Sequence, residues 1–178
     1  DSLQLHWAQT RFQQLQEHIT ALDALAEKQG VKIITDFETL ATILFTHQVY
    51  KNYPFAFIER KLFTELTRWL NKLTAHDLSS LDMRGVNTID EWLTRLDEAG
   101  MFVFHSTGTS GKLSFFPRSQ TEKEAWVEGT YTFLEAFMPG IRNLHLPVFW
   151  PAYRSGRQGS TRLITHSGPA LAGDAAEY

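Results

Sequence analysis

Met101-Phe102-Val103-Phe104-His105-Ser106-Thr107-Gly108-Thr109-Ser110-Gly111-Lys112-Leu113-Ser114-Phe115-Phe116 is the stretch whose reading decides the fold. Met101 to Phe104 is a compact β-prone run, and Leu113 to Phe116 is a second. Between them lies a segment of hydroxyl residues and glycines, closed by a lysine. Two such runs around such a segment predict strand, loop, strand. Downstream, Ser119-Gln120-Thr121-Glu122 is a capping box that predicts a helix to about Phe137, before Pro139-Gly140. Leu146-Pro147-Val148-Phe149-Trp150 predicts a third strand. A Gly/Arg-rich loop from Tyr153 to Gly159 then precedes a short helix through Ile164. Strand, loop, strand, helix, strand is how an α/β sheet layer begins.

Upstream of Gly100 the pattern is helical. Leu3, Trp7, Phe12, Leu15, Ile19, Leu22 and Leu25 recur mostly at three- and four-residue steps, the stripe of one amphipathic helix to about Lys28 with Gly30 as its stop. Thr35-Asp36-Phe37-Glu38 reads as a capping box opening a helix through about Phe45. Tyr53-Pro54 breaks the pattern, and Phe57 to Leu73 resumes it with Ile58, Leu62, Leu66, Trp69, Leu70 and Leu73 on one face. Asp77 to Asp82 is turn-like, and Thr88-Ile89-Asp90-Glu91 caps a short helix from Glu91 to Ala99. The expected fold class is therefore α/β: a mostly helical lead-in over residues 1–100, then the beginning of an α/β domain over 101–178.

Composition bounds the function. The 178 residues are 43% apolar and 21% charged, enough to bury a sizeable core in a soluble protein. A formal net charge of −3 gives no electrostatic reason to expect nucleic acid or an anionic membrane as partner. The absence of cysteine excludes disulfides, thiolate metal sites and cysteine nucleophiles, and it fits a cytoplasmic setting. No apolar run has the length of a membrane span. The first residues, Asp1-Ser2-Leu3-Gln4, lack an initiating Met and a signal-like core, and Gly173 to Tyr178 carries no closing element. Both ends read as boundaries within a longer protein.

The order Ser106-Thr107-Gly108-Thr109-Ser110-Gly111 has a physical use. Glycines permit positive φ and close approach of backbone to a ligand, and successive amides in such a turn can cradle an anion. The hydroxyls add short donors, one of which could act as a hard oxygen ligand to Mg²⁺. Lys112 supplies a point charge at the edge. The plain alternative is a turn, the usual meaning of Ser/Thr/Gly clusters between strands. A Walker-type loop needs four residues between its glycines and Ser or Thr after the lysine. Here only Thr109 and Ser110 separate the glycines, Leu113 follows Lys112, and a strand comes next, so that reading fails.

The loop resembles the phosphate loop of the adenylate-forming, acyl-activating superfamily, which includes acyl-CoA synthetases, phenylacetate-CoA ligases and acyl-protein synthetases. That family sets Ser/Thr-Ser/Thr-Gly-Ser/Thr-Ser/Thr-Gly between two strands, and Ser106 to Gly111 match it position by position. Tyr50 to Phe55, Leu78 to Leu81 and Thr88 to Leu93 look like the helical lead-in of the phenylacetate-ligase and acyl-protein-synthetase branch. The family often has Pro-Lys two and three residues after the last loop glycine, where this chain has Leu113-Ser114. Lys112 either substitutes for that charge or is a solvated lysine at a strand end.

The resemblance implies ATP and Mg²⁺, a carboxylic acid substrate, and an acceptor thiol on CoA or a carrier protein. Carboxylate attack on the α-phosphate would form an acyl-adenylate and pyrophosphate, with transfer to the thiol following. Ser106, Thr107, Gly108, Thr109, Ser110, Gly111 and Lys112 would hold the β- and γ-phosphates by positioning and electrostatics. The family's aromatic-Gly-x-Thr-Glu segment, ribose-binding Asp and mobile-domain Lys are not recognisable here. The chain is thus expected to be the front part of such a ligase and inactive alone.

Other patterns point elsewhere or nowhere. Phe149 to Gly159 is either a pocket wall or a strand-end loop with two solvated arginines. No histidine pair has zincin spacing and no acidic run has the calcium-loop pattern, so no metal site is assigned from the sequence. Gly108-Thr109-Ser110-Gly111 is one residue short of a nucleophile elbow, which removes the serine hydrolases. His105, beside the loop, reads either as a phosphate contact or, preferably, as a structural histidine at a strand end. The competing function is a non-catalytic, largely helical interaction module whose Ser/Gly loop is merely flexible.

Overall fold

The structure is a computed structural model that describes residues 2–108, 111–143 and 156–172. These fall into two compact units, 1–95 and 96–178.

The first unit is helical. In place of one helix to Lys28, α1 (Ser2–Leu15) is followed by a single 3₁₀ turn at Gln16–His18 and then α2 (Thr20–Gln29). The break falls at Ile19, which is extended at φ −111° and ψ 98°. Its gain is burial, because the reversal brings Phe12 of α1 and Ala26 of α2 into one cluster with Ile34 and Ile43. Gly30 stops α2 as expected, its N–H turning back to the carbonyls of Ala26 and Glu27.

In α3 (Phe37–Thr42) the cap is Asp36, one residue later than the expected box. Its carboxylate accepts the Thr39 N–H at 2.6 Å and the Thr35 hydroxyl at 2.9 Å. These hydrogen bonds, the Thr39 amide first, hold the Asp36 carboxyl below its ordinary range. The predicted Phe57–Leu73 helix is also divided. Between α4 (Ala56–Glu59) and α5 (Phe63–Asn71), Lys61 adopts φ 55°, a left-handed conformation that a lysine signals nowhere in sequence.

Around α5 lies a second core group: Tyr53, Leu66, Leu70, Trp92 and Leu93, each at most 1% exposed. The Trp92 indole N–H donates to the Thr67 hydroxyl at 2.8 Å, and that hydroxyl donates to the Phe63 carbonyl at 2.8 Å. Trp69 sits edge-on to Tyr53 and donates its indole N–H to Asn52. The box at Thr88 forms as read: the Thr88 hydroxyl accepts the Glu91 N–H, and the Glu91 carboxylate accepts the amides of Asn87 and Thr88. It opens α6 (Ile89–Glu98).

The second unit is mixed α/β. Strands β1 (Met101–His105) and β2 (Phe115–Ser119) pair antiparallel, with Met101 opposite Ser119 and His105 opposite Phe115. β2 begins two residues later than predicted, leaving Leu113 and Ser114 in the loop. Met101 to Phe104 are all buried, as a continuous apolar run requires. Alternation puts Phe102, Phe104, Phe116 and Arg118 on one face.

Ser119 ends β2 and caps α7 (Gln120–Phe137) with Glu122 in a complete capping box. α7 lies over that face through Trp126, whose ring meets Phe104 at 4.5 Å. α8 (Gly159–Ala172) is longer than the expected helix to Ile164 and follows α7, the Tyr131 hydroxyl donating to the Ser167 carbonyl at 3.0 Å. The predicted strand Leu146 to Trp150 lies outside the described residues.

Candidate functional site

The loop leaves β1 at His105 and rejoins the sheet at Phe115. Ser106 and Ser114 extend the ladder by one pair: the Ser106 N–H donates to the Ser114 carbonyl at 3.0 Å, and the Ser114 N–H donates to the Ser106 hydroxyl oxygen at 2.9 Å. Ser106 therefore closes the base of the loop, and its own O–H hydrogen remains the donor it can offer outward. His105 Nδ1 donates to the Ser106 carbonyl at 2.8 Å. Because a carbonyl only accepts, this contact requires the Nδ1–H tautomer. The structural reading of His105 thus has a geometry.

Above the base, Gly108 and Gly111 adopt φ 71° and 86°. The Gly111 N–H donates to the Gly108 carbonyl at 2.8 Å, closing a tight turn. A Cβ on Gly108 would stand 2.9 Å from Leu113 Cδ2, whereas one on Gly111 would meet nothing within 4 Å. Leu113, the residue that departs from the family pattern, is therefore packed against Gly108. The amides of Thr107 and Gly108 have no hydrogen-bond partner among the described residues. Thr107 and Gly111 are exposed and Lys112 is half-buried. Thr109 and Ser110 lie outside the described residues. Of the seven candidate residues, the structure thus brings Ser106, Thr107, Gly108, Gly111 and Lys112 into one turn between two antiparallel strands.

Beside the loop's departure point is a groove of about 720 Å³ lined by Phe104, His105, Phe116, Arg118, Glu122 and Trp126 among others. Its floor is the aromatic face of the sheet, and one wall is the first turns of α7. One Glu122 carboxylate oxygen accepts the Ser119 N–H at 2.8 Å, which fixes the orientation of that side chain at the groove.

Sequence reasoning missed a charged cluster in this unit. Asp97 accepts hydrogen bonds from Arg157 and, through both carboxylate oxygens, from Arg162 at 3.1 and 2.6 Å. Of the two readings of Phe149 to Gly159, the strand-end loop makes Arg157 a solvated arginine. Instead its side chain is 23% exposed and ion-paired, while that of Arg162 is 8% exposed and lies 4.0 Å over the Phe102 ring. Lys123 approaches the same ring at 5.1 Å. His166, edge-on to Phe102, is held below its usual range by partial burial first and then by Lys123 and Arg162, with Asp97 opposing. The only local hint was an arginine-bearing segment; nothing near it in the chain named Asp97.

No group of three or more His, Asp or Glu among the described residues is arranged to hold a metal ion. No described helix is long and apolar enough to cross a membrane. No family model matches the chain, and neither does any curated protein or solved structure.

Proposed function

We propose that residues 106–112 grip the polyphosphate of ATP in an adenylate-forming, acyl-activating ligase, whose reaction joins a carboxylic acid to the α-phosphate and then to a thiol. The observation that supports this most is the pair of left-handed glycines in a turn closed at its base by Ser106 and Ser114. Such a turn keeps side chains out of the way of an approaching anion. The amides of Thr107 and Gly108 are the donors available to phosphate oxygens, with the Ser106 O–H beside them. Lys112 would add charge without fixed geometry. The hydroxyls of Thr107, Thr109 and Ser110 are of the hard-oxygen type that Mg²⁺ arriving with the nucleotide accepts. The contribution of these residues is to hold charge in place as pyrophosphate leaves.

The test is calorimetric titration of the chain with MgATP, alongside pyrophosphate exchange with carboxylic acids in the full-length protein of which the chain is expected to be the front part. Binding is expected in the parent and lost in Thr109→Val/Ser110→Ala. Unchanged binding in that variant removes the loop from the reading. The competing interaction module draws support from Phe133 and Phe137, 64% and 71% exposed with rings 5.0 Å apart on α7. It requires that the parent bind no nucleotide.

A further inference from the structure

The strand end that launches the loop is held from two sides, and only one of them is the hairpin itself. On the side away from β2, residues 157 and 158 run beside β1: His105 and Gln158 form a parallel bridge, and the His105 N–H donates to the Arg157 carbonyl at 3.4 Å. That segment leads into α8, whose first residue, Gly159, lies against Phe104. Its anchors are the Arg157 side chain on Asp97, and Arg162 one turn into α8, whose N–H donates to the Gln158 carbonyl at 2.9 Å and whose guanidinium grips the same Asp97. One carboxylate therefore receives an arginine of the segment itself and an arginine one turn into α8. Its side chain is 31% exposed, so the pairs are partly desolvated and carry more than an exposed ion pair would.

We infer that Asp97 is a positioning residue for the Ser106–Lys112 loop, acting through Arg157 and Arg162 on the main chain at His105. No hydrogen bond or ion pair joins it to a described loop residue. Removing the Asp97 charge takes away the ion pairs of both arginines and loosens the 157–158 segment, so the hydrogen bond of the His105 amide weakens and the Ser106–Ser114 pair loses support on its outer side. The claim about loop geometry stands on the contacts above; its consequence for nucleotide rests on the function proposed for the loop.

The experiment is amide hydrogen exchange on the nucleotide-free chain in the parent, Asp97→Asn, Asp97→Glu and Tyr131→Phe. Asp97→Asn should speed exchange at His105 and Ser106 about tenfold or more, the size expected for losing charge-assisted hydrogen bonds. Asp97→Glu should recover part of the protection. Tyr131→Phe removes a different tie within the unit, from Tyr131 to Ser167, and should leave these two amides at the parental rate. Exchange at His105 unchanged in Asp97→Asn overturns the inference, as does an equal effect from Tyr131→Phe. Should Asp97→Asn unfold the unit, judged by loss of protection at Val103, Arg157→Gln serves in its place with the same expected and refuting results. Titration with MgATP separates the two readings. A parent that binds no MgATP while the exchange pattern holds sinks the proposed function and leaves the positioning role; a parent that binds, with Asp97→Asn equally tight, sinks the positioning role.

Discussion

Gly108→Ala is the substitution that most directly probes the turn, because the structure resolves its cost into two parts. At φ 71° an alanine carries a left-handed penalty of about 1–2 kcal/mol. Stiffening the unfolded chain returns about 0.4–1 kcal/mol of that. The new Cβ would also stand 2.9 Å from Leu113 Cδ2. That atom is the end of a flexible, half-buried side chain, so it can swing away at a rotamer cost of about 0.5–1.5 kcal/mol. Gly111→Ala shares the first part at φ 86° but meets nothing within 4 Å. Gly108→Ala should therefore exceed Gly111→Ala by about 1 kcal/mol, which is roughly a fivefold difference in local opening. The assay is hydrogen exchange at the Ser106 and Ser114 amides, the two donors that close the base. Measured in a Leu113→Ala background, the excess should vanish. Equal effects at the two glycines, or an excess that survives in that background, would refute the close packing of Leu113 beneath Gly108.

Three further outcomes follow from the packing and the ionisations. Thr67→Val keeps the shape of a buried side chain but removes the hydroxyl that accepts the Trp92 indole N–H, and should cost about 1–3 kcal/mol in urea unfolding followed by tryptophan fluorescence; a loss under about 0.5 kcal/mol would mean that the bond is dispensable. His166 is depressed in the folded state, so the unfolded chain binds the extra proton first. Its contribution is present above the ordinary histidine pKa and is lost as pH falls through that value toward the folded one; Asp97→Asn, by removing the opposing charge, should depress it further in an NMR titration. Burial pushes the Tyr53 phenol up to about 12 from 10, so stability should fall between those pH values as the unfolded chain ionises first. A tyrosinate absorbance titration in which all five tyrosines ionise together below pH 11, with the fold intact, would contradict that burial.

What was legible in the sequence was what short-range chemistry decides. The boxes at Ser119/Glu122 and Thr88/Glu91 are reciprocal pairs three residues apart, and both formed where they were read. The unbroken apolar run Met101 to Phe104 became a strand buried on both faces for the same reason, since a run without alternation has no face suited to water. The misreadings lie where tertiary burial overrode a local pattern. Periodicity through Ile19 was good enough for one helix, yet turning the chain there buries Phe12 and Ala26 together. Lys61 at positive φ has no local signature at all. Asp97 and its arginines are 60 and 65 residues apart, and neither partner names the other in the chain.

The candidate site shows the same division, and it bears on how the loop can work. The hexamer could be read as six comparable groups aimed at an anion, but Ser106 commits its amide and a hydroxyl lone pair to Ser114. The Gly111 amide is committed to Gly108. A turn that uses its first and last amides on itself loses donors but gains a fixed shape, and a fixed shape is what lets the remaining donors act without reorganising. The free-standing hairpin would not suffice, because two short strands alone are marginal in water. The segment at Arg157 and Gln158 supplies a third ribbon at the strand end, with the Arg157 and Arg162 ion pairs to Asp97 among its ties. A turn with two amides committed to its own closure, two glycines at positive φ and one flank tied by a carboxylate nine residues upstream of its first serine is held from within and from its flank at once.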